Sequence, residues 1–448
     1  MNTSSFKKVL IVTYYFPPSG GAGVQRVLKF VKYLPEFGWQ PVILAPLNAD
    51  YPAYDETLTR EIPNTIKIFR SKILEPYKFY RKLTGKEACE AMDIATLSRD
   101  GKQHRKATER ISEFIRSNFF IPDARIGWYP FAVRAGQQAI RDEQIDVVLS
   151  SAPPYTCHLI GKALKKSSKL PWICDFRDSW VGWLSAAQRR GLAYKIECRM
   201  EHSVLSQADR ILTVSPGVQD DLLSRNQDLR DNRWIHLPNG YDSEDFSGLE
   251  PIPQKSPEKL TITYSGSLYG NRNPDGLLKA LKDLIEADPS WRQVLQLIFV
   301  GRVGKPIQEQ LNHEKFTGMI KLIPYVTHSE SIRYLLASDL LLLIIDDAPA
   351  NKGILTGKLY EYLGARKPIL ALAPEGNAVD LIRELNAGFI APPKDAARIK
   401  DTLIQIRKMW LGGQLNQKRF HEEKIHALDR KSLTGQLATI LNDLSHAK

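Results

Sequence analysis

The chain has 448 residues, more than one hydrophobic core ordinarily supports, so two domains of about 200 residues each are expected. At 43% hydrophobic and 25% charged it is neither a disordered polymer nor a fibre, and its longest apolar run, Leu340 to Ile345, falls far short of the roughly 20 residues of a membrane span. A formal charge of +12 favours an anionic partner, whether nucleic acid, phosphorylated ligand or membrane surface, without choosing among them. Cys89, Cys157, Cys174 and Cys198 are scattered with no Cys-x-x-Cys pair, and the nine histidines lack metal-ligand spacing. That pattern points to a reducing compartment and away from a disulfide framework or a zinc site.

The first fifty residues form one unit. "KVLIV" is a continuous apolar strand, "PPSGGAG" a loop, and "VQRVLKFVKYL" a helix with Val24, Val27, Leu28, Val31 and Leu34 on one face. "PVILAP" is a second buried strand, so the opening reads as a βαβ unit of a parallel sheet rather than a signal peptide. Short apolar strands ending in turn residues follow at 145–154, 170–176 and 208–217, and "RWIHLPNGYD" (233–242) closes the series. A stretch rich in proline, serine and charge, "SGLEPIPQKSPEKL", precedes a second series at 260–270, 294–302, 320–326, 339–346 and 367–374. The expected architecture is α/β, with two doubly wound parallel-sheet halves. The first spans 1–240, a linker 241–258, the second 259–415, and a polar C-terminal helical segment 416–448.

In open parallel sheets ligands bind at the carboxyl ends of the strands, so the loops there carry the candidates. "PPSGGAGVQR" offers glycines and a helix N-terminus to an anion, or makes only a tight turn. Its spacing is not G-x-G-x-x-G, and Ala45 and Pro46 stand where a dinucleotide fold places a ribose-binding carboxylate, which counts against NAD. "YSGSLYGNRN" and "FVGRVGK" set Arg272, Arg302 and Lys305 at strand ends, suited to phosphate or merely solvated. "TGKLYEYLG" opens a helix at Thr356 and Gly357, with Lys358 at its positive end and Glu361 one turn on. Lysine and amides suit a diphosphate, and a carboxylate suits the vicinal hydroxyls of a ribose. The alternative is an exposed Lys–Glu pair worth about 0.3 kcal/mol. "CDFRDSW" places two aspartates around Arg177, as an ion-pair cluster or as Asp178 and Arg177 in a cleft.

Taken in order, "YYFPPSGGAGVQRVLKFVKYLPEFGWQPVILAP", "ADRILTVSPGVQDDL", "HLPNGYD", "YSGSL" and "GKLYEYLGARKPILA" resemble the GT4-type glycosyltransferases of GT-B fold over nearly the whole chain. The resemblance implies a retaining transfer of a sugar, hexosyl or N-acetylhexosaminyl, from a UDP- or GDP-linked donor, with no bound metal or other cofactor. It assigns Glu361 to the donor ribose; Lys358, Thr356 and Gly357 to the phosphates; and Gly21 and Gly23 to the loop that closes over them. Arg272 matches one of the family's basic pair. The arginine often found just after the first strand of the second half is Ser267 here, so one basic contact is either missing or supplied elsewhere, with Arg302 the candidate. The family's second glutamate, eight positions before Glu361, is Gly353; Asp346, Asp347 and Asn351 are candidates to replace it. Where many members have a histidine at the reacting centre stand Arg177 and Asp178, with His158 a further candidate contact. Catalytic roles are thus expected for Asp178, Arg177, Lys358 and Arg272.

For the acceptor, residues 70–86 carry Arg70, Lys72, Lys78, Arg81, Lys82 and Lys86 interleaved with Tyr77, Phe79 and Tyr80, either a solvated basic helix or a contact with anionic membrane. A glycan or lipid-linked acceptor at the inner face of a cytoplasmic membrane, in surface polysaccharide synthesis, fits the latter. No nucleic-acid-binding motif supports that alternative partner. A donor-binding protein without activity is the other alternative, supported by Gly353.

Overall fold

The computed structural model describes residues 6–51, 53–74, 120–181, 189–253, 258–268, 273–347, 352–353, 355–415 and 420–446. These fall into two compact units. One holds the described residues up to Pro238 together with those from Arg430 onward, and the other runs from Asn239 to Asp429.

The first unit is built on a parallel sheet of order β3-β2-β1-β4-β5-β6-β7, comprising β1 (Lys7–Val12), β2 (Trp39–Pro46), β3 (Lys67–Ser71), β4 (Val147–Ala152), β5 (Trp172–Phe176), β6 (Arg210–Thr213) and β7 (Trp234–His236). β1 runs between β2 and β4, with Val9 opposite both Pro41 and Val147. Helices cover both faces of such a sheet, which is why its central strands are unbroken apolar runs rather than alternating ones. The helix Ala22–Tyr33 sends Val27, Phe30 and Val31 into this core. The C-terminal helix Arg430–His446 adds Leu433, Leu437 and Leu441 to it, and Trp39 donates to Asn442 at 3.1 Å.

The second unit repeats the plan in the order β10-β9-β8-β11-β12-β13, with β8 (Leu260–Ser265), β9 (Leu295–Val300), β10 (Ile320–Ile323), β11 (Leu340–Ile344), β12 (Ile369–Leu372) and β13 (Gly388–Ala391). Side chains of β11 alternate as pleating requires. Leu340, Leu342 and Ile344 join the core of the helix Asp275–Ala287, whereas Leu341 and Leu343 pack with Leu359 and Tyr362 of the helix Gly357–Gly364. In each sheet the strand order reverses beside the first strand, between β1 and β4 and between β8 and β11, where such folds take their ligands.

Of the four edge strands, β3 and β13 are absent from the sequence reading. Both are largely half-buried, so neither shows as a continuous apolar run. Residues 241–253, read as a linker, lie in the second unit, where the Tyr241 and Phe246 rings crowd Gly364. The C-terminal segment divides at Asp429/Arg430 between the two units.

Candidate functional site

In the second unit the site grows from a glycine turn at the end of β8. Gly266 has φ +126°, open to glycine and strained for any other residue, and its N–H bonds to Val300 O at 2.7 Å. The side chain of Lys358 runs directly over it, so that a Cβ at residue 266 would lie 2.1 Å from Lys358 Cε and 2.4 Å from Nζ. Nζ donates to Tyr264 Oη at 2.5 Å and stands 4.2 Å from the centre of that ring, while Tyr264 Oη donates to Ser267 O at 2.9 Å. Ser267 thus enters through its carbonyl.

Tyr362 fixes the helix Gly357–Gly364 against the sheet. Its hydroxyl donates to Leu342 O at 3.1 Å and accepts from Ser265 N–H at 2.9 Å, tying helix, β11 and the start of the glycine turn together. The available signal was a tyrosine one turn after Lys358 on a face that must be buried, since a buried tyrosine hydroxyl needs partners. Thr356 precedes the helix in extended conformation, and its buried Oγ1 has no hydrogen-bond partner. Glu361 Oε1 faces His328 Nδ1 at 3.9 Å, and His328 Nε2 lies 3.1 Å from Asp245 Oδ2. Lys358 and Glu361 are therefore directed at different neighbours, Tyr264 and His328. Arg302 is exposed, with its guanidinium 5.5 Å from the Tyr325 ring.

In the first unit the loop after β1 leads into the helix Ala22–Tyr33 through Gly21, exposed and at φ +87°. Arg177, after β5, donates through Nε to Ala152 O at 3.1 Å, through one terminal nitrogen to Pro153 O and through the other to Gly23 O. Its guanidinium is spent on backbone, so it holds three loops in place; the partly buried Asp178 beside it remains the candidate for chemistry. Asp175, fully buried, pairs with Arg26 at 2.8 Å and accepts from Ser151 at 2.7 Å. Burial pushes this carboxyl up, but the Arg26 charge and these hydrogen bonds outweigh it and leave it below its ordinary value. Arg26 also donates to Leu237 O and Pro238 O, which fixes the end of this unit. His158, expected as a substrate contact, is instead a core residue. It is completely buried against Phe176 with Nδ1 2.9 Å from Ser150 Oγ, and burial pushes it down to about 3.

Two family models match this chain, one described as glycosyl transferases group 1 over residues 249–424 and one as glycosyltransferase family 4 over residues 90–245. The chain belongs to the GT4-type glycosyltransferases.

Solved structures bear out the GT-B fold of this glycosyltransferase. HepE from Anabaena, crystallised with UDP, is 13% identical with a TM-score of 0.62, over 98% of this chain and 100% of that one. Sucrose-phosphate synthase from Thermosynechococcus elongatus is 14% identical with a TM-score of 0.63, over 99% and 100%. WaaG, a glycosyltransferase involved in lipopolysaccharide biosynthesis, is 16% identical with a TM-score of 0.56, over 97% and 99%. No curated protein sequence matches.

Within this glycosyltransferase, Arg272, Asn351 and residues 75–86 lie outside the described residues. Of the candidates to replace the glutamate missing at Gly353, Asp347 is exposed and 3.4 Å from Lys394, and Asp346 is partly buried at the end of β11. Arg70 spends its guanidinium on Pro17 O and Pro46 O, which makes it part of the β2–β3 edge rather than a surface cation. No helix among the described residues is long and apolar enough to cross a membrane.

Proposed function

We propose that this enzyme is a retaining, metal-independent glycosyltransferase that moves a hexosyl or N-acetylhexosaminyl group from a UDP- or GDP-linked donor to a hydroxyl of a glycan or lipid-linked acceptor. The observation that carries the donor assignment is Lys358 lying across Gly266 at the N-terminus of the helix Gly357–Gly364, with Glu361 one turn beyond. The glycine at 266 leaves room for the Lys358 side chain, and that lysine with the helix terminus supplies positive charge for a diphosphate. The unpartnered Thr356 hydroxyl adds a donor. Glu361 takes the ribose hydroxyls. HepE binds UDP and UDP-glucose, which makes UDP the first nucleotide to try.

As the bond from the anomeric carbon to the diphosphate breaks, negative charge grows on the leaving oxygen. Lys358, Arg272 and the helix-terminal N–H groups stabilise it without needing to reorganise. The acceptor hydroxyl attacks from the same face and its proton passes to the leaving phosphate, so no protein nucleophile is required. Asp178 stands for the polar group beside the reacting carbon, and Arg177 positions its loop. The family resemblance assigns Gly21 and Gly23 to the donor phosphates, with Arg302 as the further basic contact. WaaG's part in lipopolysaccharide synthesis and the basic residues between 72 and 86 support an acceptor in surface polysaccharide synthesis at the inner face of the membrane.

The test is calorimetric titration with UDP-, GDP-, ADP- and dTDP-sugars of the parent, Lys358→Ala and Glu361→Ala. Selective binding of one nucleotide, weakened at least tenfold in both variants, is expected. No binding to the parent, or unchanged binding in the variants, overturns the donor site.

A further inference from the structure

The donor reading uses Glu361 but gives no role to His328 and Asp245, which stand in a row with it. Asp245 belongs to the short 3-10 turn Ser243–Phe246, and His328 is the first residue of the helix His328–Leu336. The Asp245 carboxylate, 3.1 Å from Nε2, requires the proton on that nitrogen. In the neutral ring Nδ1 then presents a lone pair toward Glu361 Oε1. The 3.9 Å between those atoms is too long for a direct hydrogen bond. Two acceptors this close together suit the two hydroxyls of a vicinal diol, each donating to one of them. The His328 and Glu361 side chains keep 20% and 25% of their surface accessible, so a ligand can reach between them.

We propose that His328, oriented by Asp245, is a second ribose-binding group beside Glu361, and that the pair makes this enzyme demand a vicinal diol on its nucleotide. The inference rests on the assignment of Glu361 to the donor ribose. One hydroxyl of the diol donates to Glu361. The other donates to the Nδ1 lone pair of His328. A nucleotide that lacks the 2′-hydroxyl loses one of these contacts while the acceptors stay desolvated. Such an omission discriminates more strongly than a lost apolar contact. Asp245 acts at one remove as the positioning residue that fixes the tautomer.

The experiment compares Kd for UDP and 2′-deoxy-UDP, and for GDP and 2′-deoxy-GDP, in the parent, His328→Ala, His328→Asn and Asp245→Asn. The parent is expected to bind the ribonucleotide at least tenfold more tightly. In His328→Ala that ratio falls to about threefold or less, chiefly because the ribonucleotide is lost. In His328→Asn, whose amide oxygen can stand near the Nδ1 position, the ratio is partly restored. In Asp245→Asn it is reduced without being abolished. Circular dichroism and thermal unfolding confirm that the variants fold; should His328→Ala unfold, His328→Asn and Asp245→Asn carry the same comparison. An unchanged ribo-to-deoxy ratio in the folded variants overturns the inference while leaving the donor site standing. Failure of the parent to bind either ribonucleotide overturns the donor reading itself.

Discussion

Lys358 occupies the space that a side chain at residue 266 would need, with Cε 2.1 Å from where its Cβ would stand. Gly266→Ala must therefore displace the lysine and also strain a backbone at φ +126°. Residues in such conformations cost about 1–3 kcal/mol. The expected outcome is a nucleotide affinity at least tenfold weaker, with a loss of stability in that range by urea unfolding. Lys358→Met, which keeps the length and removes the charge, separates the two effects: it weakens binding with little change in the unfolding midpoint. Parent-like binding by Gly266→Ala would remove the lysine from the phosphate site.

The Arg26–Asp175 pair predicts a different outcome, in stability alone. Both side chains are buried, and the guanidinium also serves Leu237 O and Pro238 O. Removing one partner of such a pair leaves an uncompensated buried charge and costs about 3–5 kcal/mol. Arg26→Met should lose that much by denaturant unfolding, and Arg26→Met/Asp175→Asn should recover part of it. If the double variant is no more stable than the single one, the charge on Asp175 is not what the arginine answers.

The same pair shows where the sequence stopped being legible. The βαβ pattern, the buried central strands and the glycine turns follow from local periodicity, and these placed both sheets and the Lys358–Glu361 helix correctly. Edge strands β3 and β13 were missed because a half-buried edge lacks a continuous apolar run. In "CDFRDSW" both Arg177 and Asp178 read as cleft candidates, since nothing local says that Asp175 meets Arg26 149 positions away or that Arg177 meets Gly23 O. His158 followed a promising "SSAPPYT" and proved to be core. Burial by distant elements, not the residue's own neighbours, decided each case.

Arg177 makes the next prediction. Its three nitrogens hold the carbonyls of Ala152, Pro153 and Gly23, so lysine, with one ammonium on a flexible stem, cannot replace it. Arg177→Lys should lower stability by about 2 kcal/mol, the order expected for lost hydrogen bonds to a charged donor. It should also lower kcat/KM about tenfold, because Asp178 and the Gly21–Gly23 loop lose their common support. Steady-state kinetics with the donor identified by titration give the readout. A variant that is destabilised but fully active would confine Arg177 to the core of its unit.

Acid sensitivity is expected from His158. Its ordinary value is 6.5, and burial pushes it down to about 3 in the folded protein; the nearby Asp175 charge opposes this and that of Arg177 adds to it. Below pH 6.5 the unfolded chain binds a proton here that the native state refuses. The contribution is therefore complete above pH 6.5 and is lost progressively as pH falls from 6.5 toward 3. At about 1.4 kcal/mol per pH unit, the loss from this one group is about 2 kcal/mol at pH 5. Urea unfolding of the parent and of His158→Gln at pH 7.5 and pH 5.0 isolates it. The variant can be less stable at both values, since it loses packing against Phe176, but the difference between the two pH values should shrink by about 2 kcal/mol. An undiminished difference would mean that other buried groups carry the acid response, and that the imidazole finds a route to its proton in the native state.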